Sequence, residues 1–260
     1  MRVVVLENAD AVAQFAADFF VRQVKQKPNS VLGLATGSTP LGTYRKLIEA
    51  YQAGRVSFKD VTTFNLDEYY GLEPTHEQSY RRFMRESLFD HIDIDHSRTH
   101  VPLGIATDVD AETNAYEAAI VATGGIDVQL LGIGTDGHIA FNEPGSSFAS
   151  RTRLKTLTRR TRQDNARFFG SLDLVPKLAL TMGIGSILDA RQLLLLACGE
   201  GKAEAIAKSV EGPVSAICPG SALQLHRRAI VVLDKGAAKG LSQLEYYADC
   251  EMNLNELTKV

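Results

Sequence analysis

The sequence predicts an α/β fold, a Rossmann-like three-layer sandwich in which helices flank a mainly parallel central sheet. Short apolar runs rich in branched residues, typical of buried parallel strands, alternate with amphipathic stretches of helical period. The 260 residues also suffice for one large α/β domain with an ample core. We therefore expect residues 1–260 to form a single domain, with a lid over about 148–178 and a less readable tail over 235–260. The predicted strands span residues 2–6, 31–35, 61–66, 126–131, 178–182, 192–198 and 229–234.

Composition and charge exclude several classes of function. The formal net charge is -3 and the sequence pI about 6.1, so no broad basic surface exists for a nucleic acid or an anionic membrane. The three cysteines are widely spaced and form no Cys-x-x-Cys pair, which suits reduced thiols. Without a signal-peptide pattern or an apolar run of membrane length, we expect a cytoplasmic protein.

The turn between the second strand and its helix is a candidate phosphate site. The helix is predicted over residues 41–53, with Thr39 as its cap and Pro40 as its first residue. Gly37, Ser38 and Thr39 then present backbone N–H groups at the positive end of a helix dipole. Many such turns hold glycine and serine for capping alone, so the signal is weak when taken by itself.

The third strand, residues 61–66, ends in Asp67 and Glu68 at the same edge of the predicted sheet. Neighbouring side chains at a strand end point in opposite directions, so we expect only one of the two carboxylates to face a pocket. An aspartate that merely caps a helix or a turn is an equally good interpretation of this segment alone. Two amphipathic helices follow, predicted over residues 79–89 and 108–123.

The densest cluster of reactive side chains follows the strand at residues 126–131. Gly132, Gly134 and Gly137 give the next turn backbone freedom and let it approach a ligand closely. Four polar residues stand in that turn before Pro144, namely Asp136, His138, Asn142 and Glu143. Any one of them alone could serve only to satisfy the backbone of the turn. All four together predict a functional site where ligands bind in open α/β sheets.

A polar, basic segment follows Pro144 and predicts the lid. Residues 161–169 are predicted to be helical and carry Arg167. A charged excursion after a reactive cluster could cover the site, or it could be a surface hairpin. Lys202 follows the strand at 192–198, so it lies at a carboxyl end of the sheet, where most lysines are solvent-exposed.

The residue types gathered at this edge indicate proton transfer on a small phosphorylated molecule. A histidine with a nearby carboxylate can move protons near neutral pH, and a separate carboxylate can take a proton from carbon beside a carbonyl. The six histidines show no metal-ligand spacing, and no serine or cysteine stands in a nucleophile elbow. The residues alone therefore predict a sugar-phosphate isomerase or hydrolase without naming the sugar.

At these same residues the sequence closely resembles the glucosamine-6-phosphate deaminase family. The matching segments occur in the family's order and extend to about Asp234. They are residues 34–40, 64–71, 132–144, 150–156 and 166–169. The resemblance implies conversion of glucosamine 6-phosphate and water to fructose 6-phosphate and ammonia, without a metal or organic cofactor.

The resemblance also assigns roles to residues. It implies that His138 opens the sugar ring with support from Asp136 and Glu143, and that Asp67 moves a proton from C2 to C1 through an enolamine. The substrate phosphate would contact Gly37, Ser38, Thr39, Arg167 and Lys202.

Two rivals remain at this point. The 6-phosphogluconolactonases resemble the chain around Gly137 and His138 but lack the continuation at residues 141–144, and opening a lactone needs no C2 base. A catalytically silent sugar-phosphate sensor would not need a histidine between two acids.

Some members of the family are hexamers activated by N-acetylglucosamine 6-phosphate. The residues that match their activator site are Ser146, Arg153, Lys155, Thr156 and Tyr246. This cluster is basic and rich in hydroxyls, as a second phosphate site requires. We therefore expect an allosteric hexamer.

Overall fold

The computed structural model describes residues 1–257, which form ten strands and nine α-helices. The strands are β1 Arg2–Leu6, β2 Val31–Leu34, β3 Thr62–Asn65, β4 Asp67–Tyr69, β5 Thr99–His100, β6 Val128–Leu131, β7 Arg153–Thr156, β8 Leu178–Thr181, β9 Leu193–Ala197 and β10 Ala229–Asp234. The helices are α1 Ala9–Gln26, α2 Leu41–Gln52, α3 Tyr80–Ser87, α4 Val109–Ala122, α5 Arg159–Phe169, α6 Ile184–Leu188, α7 Ala203–Val210, α8 Lys235–Ala238 and α9 Leu244–Leu257.

Seven strands form one sheet in the order β1-β10-β9-β6-β2-β3-β5, and every neighbouring pair in it is parallel. The central strands are buried along their whole length, which is why their sequences are continuous apolar runs rather than alternating ones. Helices flank this sheet, so the predicted α/β three-layer architecture is confirmed.

The strand order reverses between β2 and β6. From β2 the chain adds β3 and β5 on one side, and from β6 it adds β9 and β10 on the other. In open α/β sheets such a reversal leaves a crevice at the carboxyl ends of the two strands. The segments that follow these strands are residues 36–40, the phosphate turn, and residues 132–144, the central turn. The topology therefore places both predicted turns beside one crevice.

Three further strands form a small antiparallel sheet in the order β4-β8-β7. The sequence predicts the strand β8 but neither β4 nor β7, and so it does not predict this second sheet. The chain leaves the main sheet at Leu66, whose carbonyl accepts the N–H of Met182 at 2.7 Å. Asp67 is then paired with Thr181, and Thr181 is paired on its other side with Arg153. One strand thus joins the predicted carboxylate to the base of the predicted lid.

The predicted lid, residues 148–178, contains β7 and α5. Helix α5 begins at Arg159, two residues earlier than predicted, because the Thr158 hydroxyl accepts the N–H of Thr161 at 3.1 Å and caps the helix. The segment's first residues are fixed by Glu117, which accepts the N–H of Thr152 at 2.8 Å and the guanidinium of Arg151 at 2.7 Å. The lid therefore starts from an anchored base.

The tail contains α8 and α9, and residues 258–260 lie outside the described part of the chain. Arg2 of β1 makes a two-bond ion pair with Glu251 of α9, with both N···O distances 2.6 Å. The tail is thus attached to one edge of the large sheet. Within residues 1–257, no helix has both the length and the hydropathy that membrane crossing requires.

A glycine holds the second sheet against the lid base and gives a test of the fold. A Cβ added at Gly183 would lie 2.0 Å from the Ser150 carbonyl oxygen, which accepts the N–H of Gly185 at 2.9 Å. Because backbone must move, we expect Gly183→Ala to destabilise the protein by about 1–3 kcal/mol in urea unfolding.

Gly201→Ala is the matched control, since a Cβ there meets nothing within 4 Å. We expect it to change stability by less than about 0.5 kcal/mol. Equal stability of the two variants would contradict the packing described for Gly183.

Candidate active site

A cavity of about 190 Å³ opens at the strand reversal. Seven of the nine residues that the sequence assigned to catalysis or to phosphate binding line it: Gly37, Ser38, Thr39, Asp67, His138, Arg167 and Lys202. Asp136 and Glu143 are not part of the lining and contact His138 instead. The fold thus collects one candidate site from segments spread over more than half of the chain.

Asp67 is the first residue of β4 and only 5% exposed. Burial, with a further contribution from the charge of Glu68, raises the pKa of its carboxyl from 3.8 to about 8. A carboxyl group with so high a pKa gives a carboxylate that is a stronger base than that of an exposed aspartate.

The side chain of Glu68 points away from the cavity, as the alternation of side chains along a strand predicts. Its carboxylate accepts three backbone N–H groups, from Tyr69 and Tyr80 at 2.9 Å and from Arg81 at 3.1 Å. Burial raises the pKa of Glu68 to about 7, although these three donors act in the opposite direction. Glu68 therefore fixes the start of α3, and only Asp67 lines the cavity.

The central turn brings His138 against its own backbone. A Cβ at Gly134 would lie 2.2–2.6 Å from three atoms of the His138 ring, so only glycine leaves room for the imidazole there. The N–H of Gly134 also donates to the carbonyl of His138 at 2.8 Å. Gly137, with φ 88°, makes the left-handed turn that this closure requires. The glycines that predicted a close approach to a ligand serve first to seat the histidine.

Asp136 orients the imidazole. His138 Nδ1 lies 2.6 Å from Asp136 Oδ1, which also accepts the backbone N–H of His138 at 3.1 Å. Burial acts to raise the pKa of Asp136, but the hydrogen bond and charge of His138 outweigh it and lower that pKa to about 2. A carboxylate is an acceptor only, so Nδ1 carries the proton and Nε2 is the basic nitrogen of the neutral ring.

Glu143 joins the histidine to the predicted lid segment. Its Oε2 lies 3.9 Å from His138 Nδ1, and its Oε1 accepts the N–H of Thr158 at 2.9 Å. Thr158 is the residue that caps α5. A shift of α5 would therefore also shift the carboxylate of Glu143, which already lies beside the imidazole. The sequence did not predict this link.

Asn142, which the sequence placed in the cluster without a role, fastens the central turn. Its side-chain amide donates to the carbonyl of Ile139 at 3.0 Å and to that of Met182 at 2.8 Å. Met182 directly follows β8, so this amide ties the central turn to the strand that pairs with Asp67. The relative positions of His138 and Asp67 depend on this connection.

The phosphate turn leads into α2, but its cap differs from the prediction. The helix begins at Leu41, with Pro40 rather than Thr39 in the cap position and no side-chain hydrogen bond to the first turn. A proline locks φ near the helical value without a side-chain acceptor, so the cap moves by one residue. Gly37, Ser38 and Thr39 line the cavity just before this helix start.

Two cations reach the cavity from other parts of the chain. Arg167 comes from α5, and its guanidinium stacks on Phe168 at 4.7 Å from the ring centre. Lys202 follows β9, and Gly199, with φ 87°, makes the turn that brings it there. Burial lowers the pKa of Lys202, while Asp164 and Asp136 act in the opposite direction. These cations, with the phosphate turn, form a local site for an anion.

Tyr80 is a cavity residue that the sequence analysis missed. It begins α3 and lies in a small apolar cluster between the lid and β4, stacked on Phe141 with ring centres 6.0 Å apart. Burial raises the pKa of its hydroxyl well above the ordinary value. The cap at Ser79 predicts a helix start here, but no local pattern places that start beside β4.

Asp136, His138 and Glu143 could also hold a metal ion, because their ligand atoms all lie within 4.8 Å of one another. The spacing of the histidines and cysteines predicts no metal site. The Nδ1 atom that a cation would need already donates to Asp136, so metal binding would compete with this proton.

The residues expected at an activator site fall on three parts of the fold. Ser146 is buried and donates its hydroxyl to the carbonyl of Glu143 at 2.6 Å. Arg153, Lys155 and Thr156 lie on β7 of the small sheet. Tyr246 lies on α9, which packs on β1 at the edge of the large sheet, and is 60% exposed.

Comparison with known proteins gives consistent results. Residues 7–232 match the family model of glucosamine-6-phosphate isomerases/6-phosphogluconolactonase. A glucosamine-6-phosphate deaminase of Cellvibrio japonicus is 58% identical over 99% of this chain and 98% of its own length. One of Clostridioides difficile is 51% identical over 95% of this chain and 99% of its own length.

Solved structures agree with this. A structure described as a monomeric glucosamine-6-phosphate deaminase superposes with a TM-score of 0.91 and 49% identity, covering 92% of this chain and 100% of that one. A 6-phosphogluconolactonase from Leishmania guyanensis reaches a TM-score of 0.70 at 21% identity, over 92% and 98% of the two chains, and shares the fold. The chain therefore belongs to the glucosamine-6-phosphate deaminase family, within the wider group that also contains 6-phosphogluconolactonases.

Proposed function

We propose that this protein converts glucosamine 6-phosphate and water to fructose 6-phosphate and ammonia, a net hydrolysis of a C–N bond, in the degradation of amino sugars such as N-acetylglucosamine. The observation that carries the proposal is a single cavity lined by a buried aspartate of high pKa, an oriented histidine and two cations beside a helix start. The deaminases from Cellvibrio japonicus and Clostridioides difficile support it, since both match nearly the whole chain.

Ring opening is assigned to His138. With Nδ1–H held by Asp136, the basic Nε2 takes the proton of the O1 hydroxyl and returns a proton to the ring oxygen. The transient imidazolium is stabilised by the carboxylates of Asp136 and Glu143, at 2.6 Å and 3.9 Å from Nδ1. This step yields the open-chain aldehyde with its amine on C2.

Proton transfer between carbons is assigned to Asp67. Its carboxylate removes the C2 proton while the carbonyl oxygen O1 takes a proton from the substrate ammonium, which gives an enolamine. The carboxyl group then returns its proton to C1, which leaves a protonated imine at C2. Water converts this imine to the ketone and releases ammonia and a proton. A substrate ammonium beside the buried carboxyl would lower the pKa of Asp67 and so favour the basic carboxylate in the complex.

The substrate phosphate is assigned to the phosphate turn with Arg167 and Lys202, and residues 148–178 are assigned as a lid of the single domain. Arg167 lies on α5, whose capping residue is bonded to Glu143. Closure of α5 on the phosphate would therefore also adjust the carboxylate beside His138. Such closure would limit the access of bulk water during the proton transfers, while the one water molecule that hydrolyses the imine must still reach C2.

A 6-phosphogluconolactonase is the alternative within the fold. Lactone hydrolysis needs no base at C2, and it gives no reason to bury the carboxyl of Asp67. A silent sensor is the alternative in another class, and it needs no imidazole held between two acids. The lactonase structures are about one-fifth identical to this chain and support the shared fold only.

Regulation by a second phosphate ester is part of the proposal. The proposed activator residues are Ser146, Arg153, Lys155 and Thr156, of which the last three lie on β7, together with the exposed Tyr246 of α9. The proposed assembly is a hexamer, whereas the 49% identical neighbour is described as monomeric.

The reaction itself gives the first test, in which ammonia and fructose 6-phosphate are measured from glucosamine 6-phosphate. We expect Asp67→Asn and His138→Gln each to lower kcat by about 100-fold or more while fructose 6-phosphate still binds. His96→Gln, at an exposed histidine, is the control and keeps normal turnover. Near-normal kcat in either site variant removes the role assigned to that residue.

The raised pKa of Asp67 predicts how stability depends on pH. Below the unfolded-state pKa of 3.8 the carboxyl group is protonated in both states, so its burial costs no free energy of ionisation. As the pH rises from there toward the folded-state pKa of about 8, only the unfolded state loses the proton, so the free energy of unfolding falls. Asp67→Asn, which cannot ionise, should therefore gain stability relative to the native protein between pH about 5 and 8, by about 1 kcal/mol or more. Urea unfolding at several pH values measures this, and a pH-independent difference contradicts the assigned burial.

Substrate kinetics test the activator proposal. We expect a sigmoidal substrate curve that becomes hyperbolic when N-acetylglucosamine 6-phosphate is added, and loss of this response in Lys155→Ala with basal kcat retained. Sedimentation measures the assembly. A curve that is hyperbolic from the start and does not move with the activator rules the regulation out.

A further inference from the structure

A carboxylate stands among the cations of the cavity. Asp164 of α5 lines the same cavity as Arg167 and Lys202, yet no role follows for it from the proposed reaction. It is one helical turn before Arg167, so both side chains lie on the face of α5 that is turned toward the cavity. An acid at this place is unfavourable for a phosphate dianion, and its presence needs a physical reason.

Asp164 also contacts the central turn. Its Oδ2 accepts a hydrogen bond from the hydroxyl of Thr135 at 3.2 Å, and Thr135 directly precedes Asp136. This bond connects the lid helix with the turn that carries His138. It is an exposed contact, so by itself it holds the helix only weakly.

Asp164 also acts on Lys202 through its charge. Burial lowers the pKa of Lys202, and the charge of Asp164 opposes this more strongly than that of Asp136 does. In the phosphate-free protein, Asp164 thus supplies part of the negative charge that a half-buried lysine and a nearby arginine require. A bound phosphate supplies the same charge and is repelled by Asp164.

We propose that Asp164 is an internal competitor of the substrate phosphate, whose negative charge lowers the affinity of the cavity for a phosphate ester. The inference rests on the phosphate site of the proposed function. Its consequence is a weaker ground-state complex and easier release of the phosphorylated product. Asp164 is a residue that sets affinity, because it acts on the phosphate through charge and takes no part in bond making.

The test separates charge from the hydrogen bond. Asp164→Asn keeps an oxygen that can accept from Thr135 and removes the charge, whereas Thr135→Val removes the donor and keeps the charge. Asp173→Asn, at a lid carboxylate outside the cavity lining, is the matched control. Each protein is titrated calorimetrically with inorganic phosphate and with fructose 6-phosphate, in dilute buffer and in about 0.5 M salt.

We expect Asp164→Asn to bind both ligands about threefold or more tightly in dilute buffer, with a smaller gain in high salt because added ions screen the repulsion. KM for glucosamine 6-phosphate should fall in parallel while kcat changes less than about twofold. Thr135→Val should shift the two Kd values less than Asp164→Asn does.

An unchanged or raised Kd in Asp164→Asn overturns the proposal, as does an equal gain in Asp173→Asn. A larger effect of Thr135→Val than of Asp164→Asn also overturns it, because the tether and not the charge would then set affinity. Ammonia release by the native protein is assayed separately. If the native protein released no ammonia, the proposed function would be contradicted, and the phosphate titrations could still be interpreted.

Discussion

The geometry of the site is organised around one carboxyl group that is buried where the two sheets meet. Asp67 follows the end of β3 and begins β4, so its backbone is held by the large sheet on one side and by Thr181 of the small sheet on the other. Nothing in a lone buried carboxyl stabilises the fold, since burial disfavours its charged form. A buried carboxyl group that lowers the stability of the fold is expected where its basicity is used. For this reason we propose Asp67 as the base of the reaction.

The surrounding hydrogen bonds fix the histidine relative to this carboxyl. Asn142 joins the central turn to the residue after β8, and β8 is the strand that pairs with β4. Asp136 sets the orientation of the imidazole, and Glu143 connects it to the cap of the lid helix. The proposed proton-transfer groups are therefore held through one short antiparallel sheet rather than through the large parallel one. The large sheet supplies the crevice, and the small sheet sets the geometry within it.

Charge in the cavity is balanced by groups from distant parts of the chain. Arg167 and Lys202 line the cavity, and the charges of Asp164 and Asp136 act on Lys202. This arrangement concentrates positive charge at one place in a protein of net charge -3. One of the two cations and Asp164 lie on the same helix, so the proposed lid would carry both groups.

The sequence was sufficient for the α/β class, for the crevice-side location of the turns and for the residue types of the site. Buried parallel strands are continuous apolar runs and close backbone approach requires glycine, and both are properties of local sequence. Four features could not be predicted in this way. They are the small antiparallel sheet, the partner of Asp67, the cavity position of Tyr80 and the contact between Glu143 and Thr158. Each depends on a pairing between segments far apart in the chain, for which the residues themselves carry no periodic signal. The pKa of Asp67 belongs to the same group, because burial is a property of the folded chain and not of an aspartate in a sequence.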